Sequence, residues 1–122
     1  MKFRMKLLAA ASAVAFAASM GLGMAPEAKA DGHAIKVGII LGFTGPIESL
    51  TPGMAASAEL AMKEVTDSGK LLGGKALVPV RADSTCVDSA AATAAAERLI
   101  TSDSVAAIMG ADCSGVTTSI AN

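Results

Sequence analysis

The chain has no tryptophan and no tyrosine, a single histidine, and only three phenylalanines in 122 residues. Two of these, Phe3 and Phe16, fall in an N-terminal export segment, which leaves Phe43 as the only aromatic of the remainder. Basic residues are also few. Setting aside Lys2, Arg4, Lys6, Glu27 and Lys29 leaves 6 basic and 10 acidic residues, a net charge of −4. Such a surface offers neither a cationic track for phosphates nor rings on which bases could stack, so nucleic acid is excluded as a partner. One histidine, His33, gives no metal cluster and no Ser-His or Cys-His pair, so no metal, no cofactor and no catalytic residues are expected, and the chain does not read as an enzyme. Phosphate loops are missing as well. Gly69 to Lys75 has GxxxxGK spacing, but Ala76 stands where a Ser or Thr would hold magnesium, and the run precedes a strand instead of following one. Gly38, Gly42 and Gly45 do not form GxGxxG, and no acidic residue follows at the strand end about twenty positions on. Asp83, Asp88 and Asp112 lack the alternating spacing of a calcium loop, and helix capping or solvation accounts for them.

What is present begins with a targeting signal. Lys2, Arg4 and Lys6 form a positive n-region, Leu7 to Met24 an alanine-rich apolar run, and Ala28-Lys29-Ala30 an A-x-A site. Residues 1–30 therefore read as a secretory signal cleaved after Ala30, and residues 31–122 as one partial domain outside the inner membrane, with no membrane span of its own. No cysteine follows the apolar run, so nothing marks a lipid-modified N-terminus. Two cysteines, Cys86 and Cys113, in an exported chain favour a disulfide, although spacing alone does not establish pairing.

Three strand-helix units follow. Ile35 to Leu41 (IKVGIIL) is β-branched and lacks the alternation of a half-exposed strand, as expected when both faces are covered. After the Gly42 to Pro46 turn, a helix is expected from about Met54 to Asp67, with Met54, Ala58, Ala61, Met62 and Val65 on its inner face and Glu59–Lys63 paired outside. Ala76 to Ala82 is a second strand, and Pro79 places it at an edge or a bulge. Asp88 or Ser89 caps an alanine-rich helix to Ile100, with Ala92, Ala95, Ala96 and Leu99 as its buried stripe. Val105 to Met109 is a third strand, and Gly115 to Asn122 the first turns of a third helix. The fold class is α/β, a partial doubly wound parallel sheet. A third helix ending at Asn122 leaves a sheet face and a strand edge without cover, so the chain reads as an N-terminal fragment.

Open parallel sheets bind ligands outside the carboxyl ends of their strands. Those ends are Gly42–Pro46, Asp83–Val87 and Asp112–Thr117, and both cysteines lie on that rim. Ser114, at a helix start, either caps a backbone N–H or joins the amides of Gly115, Val116 and Thr117 in holding a carboxylate at the positive end of the helix dipole.

Taken in order, Ile35 to Met54 (IKVGIILGFTGPIESLTPGM), Ala61 to Lys75, Arg81 to Asp88 (RADSTCVD) and Ile108 to Thr118 (IMGADCSGVTT) resemble the type I periplasmic solute-binding proteins of ABC transporters, in the leucine/isoleucine/valine-binding branch. The resemblance implies two α/β lobes closing on a ligand, with this chain supplying the first half of the N-terminal lobe. It implies that Cys86 pairs with Cys113, that Ser114 and Thr117 stand at the helix start that holds an amino acid's carboxylate, and that Leu50 occupies the place of an aromatic packed against the ligand side chain. An inner-membrane permease is the implied partner. Two other readings stay open on sequence grounds: an exported α/β hydrolase whose Gly-x-Ser-x-Gly elbow lies further on, and a ligand-sensing receptor domain followed by a transmembrane helix.

Overall fold

In the computed structural model, residues 34–122 are described; the signal sequence, its site at Ala30 and His33 lie outside the described residues. The first strand, β1 (Ile35–Leu41), is the middle of a three-stranded sheet. It is flanked by β2 (Leu77–Asp83) and β3 (Ala107–Met109), and both pairings are parallel. Helix α1 (Thr51–Asp67) leads to β2, α2 (Ser89–Thr101) leads to β3, and α3 (Ser114–Ala121) follows β3. The expected α/β order of three strand-helix units is therefore observed.

The continuous apolar character of β1 has a direct structural cause. Successive side chains of a strand point to opposite faces. Ile39 and Leu41 pack with Ala55 of α1 on one face, while Ile40 packs with Ala82, Ala96 and Leu99 on the other. Ile39 and Ile40 are both fully buried, so each face carries its own core. Gly38 shares the face of Ile40, and a Cβ there would stand 2.9 Å from Leu99 Cδ1. Its missing side chain is what lets α2 lie close to the sheet. Ala92, Ala96 and Leu99 form the buried stripe of α2, with Ala95 packed beside them, as expected. Asp88 caps this helix by accepting from the amides of Ala90 (2.9 Å) and Ala91 (3.0 Å).

Several expected details are corrected. Helix α1 begins at Thr51, three residues early, because Pro52 lies in its first turn, where a missing N–H costs nothing. Its inner face is Thr51, Ala55, Ala58 and Met62, whereas Met54, Ala61 and Val65 are exposed. Lys63 pairs with Asp67 and not with Glu59. Glu59 instead receives two hydrogen bonds from Arg81 of β2, at 2.6 and 2.8 Å, and the guanidinium holds the Glu59 carboxyl below its usual range. Strand β2 runs one residue later than expected, through Asp83, and at the sheet edge, as Pro79 indicated. Strand β3 is shorter than expected, since the chain before it joins β1 only from the Ala106 amide, which donates to Lys36 O at 2.8 Å.

Candidate functional site

All three strands end on one rim, and two aspartates tie it together. Asp83, at the end of β2, accepts from the Thr44 hydroxyl (2.6 Å), the Thr44 amide (3.3 Å) and the Thr85 amide (2.8 Å). Burial pushes the Asp83 carboxyl up, but these donors outweigh it and hold the group below the ordinary carboxylate range. Asp112, beyond β3, accepts the Gly42 amide at 3.2 and 3.0 Å, and the Ser84 hydroxyl at 3.5 Å. Ser84 is completely buried. The turn after β1 is thus pinned to the other two strand ends by side chains whose roles capping and solvation do not describe. Phe43, on the same turn, lies under the Arg81 guanidinium, 5.5 Å from it.

The expected disulfide is formed between Cys86 and Cys113, with Cα atoms 5.2 Å apart. It joins the loop after β2 to the residue that precedes α3. Thr85 and Cys86 both hold left-handed backbone angles, φ 56° and 69°, which non-glycine residues adopt at a cost. The bridge, the Asp83–Thr85 contact and a bond from the Asp88 amide to Thr85 Oγ1 (3.0 Å) fix that loop.

Cys113 occupies the N-cap position of α3 and provides no side-chain cap. Ser114 is the first residue inside the helix and is exposed, so capping by its hydroxyl does not occur. Gly115 is exposed beside it. The expected set of free amides needs a correction. The Thr117 amide donates to Cys113 O at 3.0 Å, which closes the first helical turn and leaves those of Ser114, Gly115 and Val116. The Thr117 hydroxyl donates to Ala111 O (3.2 Å) and Cys113 O (2.9 Å), so it braces the helix start. Leu50 lies immediately before α1 on the same rim and is 63 % exposed.

Sequence reasoning placed Asp83 and Asp112 on the rim but missed their tying role, and it missed Thr51 altogether. Thr51 is fully buried, and its hydroxyl donates to Gly42 O at 3.1 Å. The one signal for the aspartates was their position just past an apolar strand. A groove of about 540 Å³ lies elsewhere, between α1 and the start of β2, lined by Met62, Thr66, Leu77 and Pro79 among others. It is far along the strands from the rim, and it contains none of the candidate site residues. Among the described residues, no helix is long and apolar enough to cross a membrane.

Comparison with known proteins bears on the fold and the family. A periplasmic binding protein family model matches residues 34–122. The Leu/Ile/Val-binding protein homolog 7 of Brucella abortus is 39 % identical over 98 residues, covering 80 % of this chain and 23 % of that protein. The chain thus spans about a quarter of the length of the relatives it matches. Among solved structures, the branched-chain amino acid substrate-binding protein LivJ of Streptococcus pneumoniae, in complex with isoleucine, aligns with a TM-score of 0.64 and 26 % identity, covering 71 % of this chain and 24 % of that one. A solute-binding protein of an ABC transporter from R. palustris, in complex with benzoate, aligns with a TM-score of 0.56 and 30 % identity, covering 71 % and 23 %. With most of its length matched by the family model, the chain belongs to the type I periplasmic binding proteins, in the branch that holds the Leu/Ile/Val-binding proteins.

Proposed function

We infer that this chain is part of an extracytoplasmic receptor that binds an amino acid or a similar small carboxylate and delivers it to the inner-membrane permease of an ABC transporter. The observation that carries the reading is the start of α3. Three first-turn amides and the exposed Ser114 hydroxyl stand together at the strand-end rim, with no side-chain cap from Cys113 to occupy them. A carboxylate is the complement of such a group, since its charge suits the positive end of the helix and its oxygens accept from the amides. The chemistry is binding alone, with no bond made or broken by these residues. Isoleucine and benzoate, the ligands seen in the two structural neighbours, share a carboxylate and an apolar remainder. The exposed Leu50 side chain on the same rim suits that apolar remainder.

In this reading residues 1–30 are removed after Ala30, and residues 31–122 form the first part of the N-terminal lobe, with the second lobe closing over the ligand. Calorimetry on the receptor-length protein with leucine, isoleucine, valine and benzoate tests it. Saturable binding of at least one is expected, and replacing Ser114 with alanine should weaken it by about 1–3 kcal/mol by leaving a buried anion short of a donor. Absence of binding across carboxylate ligands refutes the receptor reading, and unchanged affinity in Ser114→Ala removes Ser114 from the site.

A further inference from the structure

Leu50 and Ser114 are 64 positions apart in sequence, yet a single residue stands between the elements that carry them. Gly42, the residue just past β1, donates its N–H to both carboxylate oxygens of Asp112, at 3.2 and 3.0 Å. Its carbonyl accepts from the Thr51 hydroxyl at 3.1 Å. Thr51 follows Leu50 directly and is fully buried, and Asp112 lies two residues before Ser114 and is half-buried. Space around Gly42 is closed as well: a Cβ at this position would stand 3.2 Å from Cys86 Cβ and 3.3 Å from a side-chain carbon of Ile47. Ser84, also fully buried, reaches the same Asp112 oxygen at 3.5 Å.

We propose that Asp112 and Thr51 are positioning residues of the ligand site, which hold the Ser114 helix start and the Leu50 shoulder in register through the N–H and the C=O of one residue, Gly42. The proposal rests on the receptor reading above. Neither residue needs to touch the ligand. Asp112 fixes the entry of α3 relative to the central strand, and Thr51 fixes the entry of α1 relative to the same residue, Gly42. A carboxylate held at one wall and an apolar tail resting on the other both depend on that spacing. Either bond lost frees one wall to shift while the remaining core, built on Ile39, Ile40 and Leu99, stays packed.

The test compares Asp112→Ala, Asp112→Asn and Thr51→Val in the receptor-length protein, by calorimetric titration with isoleucine, leucine, valine and benzoate well below the melting temperature. Thr66→Val is the control: its hydroxyl accepts the Leu77 amide at 2.9 Å, at the opposite end of the sheet, so it loses a comparable tie away from the rim. Asp112→Ala and Thr51→Val are expected to weaken binding about ten-fold or more, as loss of one buried polar contact does. Asp112→Asn, whose amide oxygen still accepts from Gly42, is expected to recover most of the affinity. Thr66→Val is expected to lower the melting temperature and leave affinity within about two-fold of the original. Should Asp112→Ala fail to fold, Thr51→Val decides the matter, and original affinity in it overturns the proposal. Original affinity in Asp112→Ala overturns it outright, and so does a Thr66→Val loss as large as those at the rim, because the effect is then one of stability. Failure of the unsubstituted protein to bind any of the four ligands overturns the receptor reading, and this proposal with it.

Discussion

Replacing Gly110 with alanine should be among the most damaging single-methyl changes in this chain. Gly110 follows β3 and has φ +121°, a backbone conformation that side chains with a Cβ rarely adopt. Holding alanine there costs about 1–3 kcal/mol in backbone strain alone. The added Cβ would then stand 2.0 Å from the Ile40 carbonyl oxygen and 3.0 Å from both the Ile40 carbonyl carbon and Cγ2. A backbone carbonyl in the middle of the sheet cannot swing aside as a side chain would, so β3 and the end of β1 must separate. Overpacking of this kind costs about 1–3 kcal/mol. The separation also pulls Asp112 from the Gly42 amide, a charge-assisted bond worth about 1.5–3 kcal/mol. Together these give a loss of about 4 kcal/mol or more, a large part of the total stability of an ordinary domain. Urea denaturation followed by circular dichroism measures it. Gly53→Ala is the matched control, since Gly53 lies in α1 with nothing within 4 Å of its built Cβ. That change should stabilise by about 0.4–1 kcal/mol through the unfolded chain. A Gly110→Ala protein within about 1 kcal/mol of the original would refute the reasoning, because only a freely adjusting rim could absorb such a contact.

Two further outcomes follow from the rim. The Asp83 carboxyl has its folded-state pKa lowered by the Thr44 and Thr85 donors, so its contribution is fully present above the unfolded value near ~4 and disappears as pH falls through the folded value. The stability difference between the original protein and Asp83→Asn should therefore shrink on acidification from about pH 7 to about pH 3, and a constant difference over that range contradicts the assignment. The Cys86–Cys113 bridge, with a sequence separation of 27, should contribute about 3.5 kcal/mol by restricting the unfolded chain. Equal unfolding midpoints for the oxidised protein and the Cys86→Ala/Cys113→Ala variant would count against that contribution.

The features legible in sequence are those set by local pattern. An apolar run without alternation gave β1 as a strand covered on both faces, and Ile39 and Ile40 do point into separate cores. An alanine-rich segment behind an aspartate gave α2, its cap and its buried stripe. Helix α1 was read correctly at Ala58 and Met62 and misread at Met54, Ala61 and Val65, which are exposed. Its inner face starts with Thr51, a polar residue made compatible with burial by one carbonyl, that of Gly42. Without knowledge of that bond, Met54 and Val65 look like better core candidates, although both are exposed. The Glu59 pairing failed for a similar reason. Arg81 offers two donors in fork geometry from the neighbouring strand, which surpasses a single lysine one turn away.

The rim was legible in place but not in mechanism, and the reason lies in how the sheet ends. Strand β1 outlasts β3: its register with β3 stops at Ile39, while that with β2 continues to Leu41. Beyond Ile39 the side of β1 facing β3 has no strand partner, and a buried backbone N–H left there would be costly. Asp112 supplies the missing acceptor for Gly42, from 70 residues away. The same use of Asp112 has a consequence for α3. An aspartate one position later would sit at the N-cap and take up the first amides itself, as Asp88 does for α2. Cys113 stands there instead, bound to Cys86 and without a capping bond. Sheet termination thus consumes the nearby carboxylate, and the disulfide holds a residue that cannot replace it. The amides of Ser114, Gly115 and Val116 are thereby left without an acceptor inside the helix. On the receptor reading proposed above, Cys113→Asp paired with Cys86→Ala should abolish calorimetric binding that Cys86→Ala/Cys113→Ala retains, because the aspartate supplies that acceptor internally.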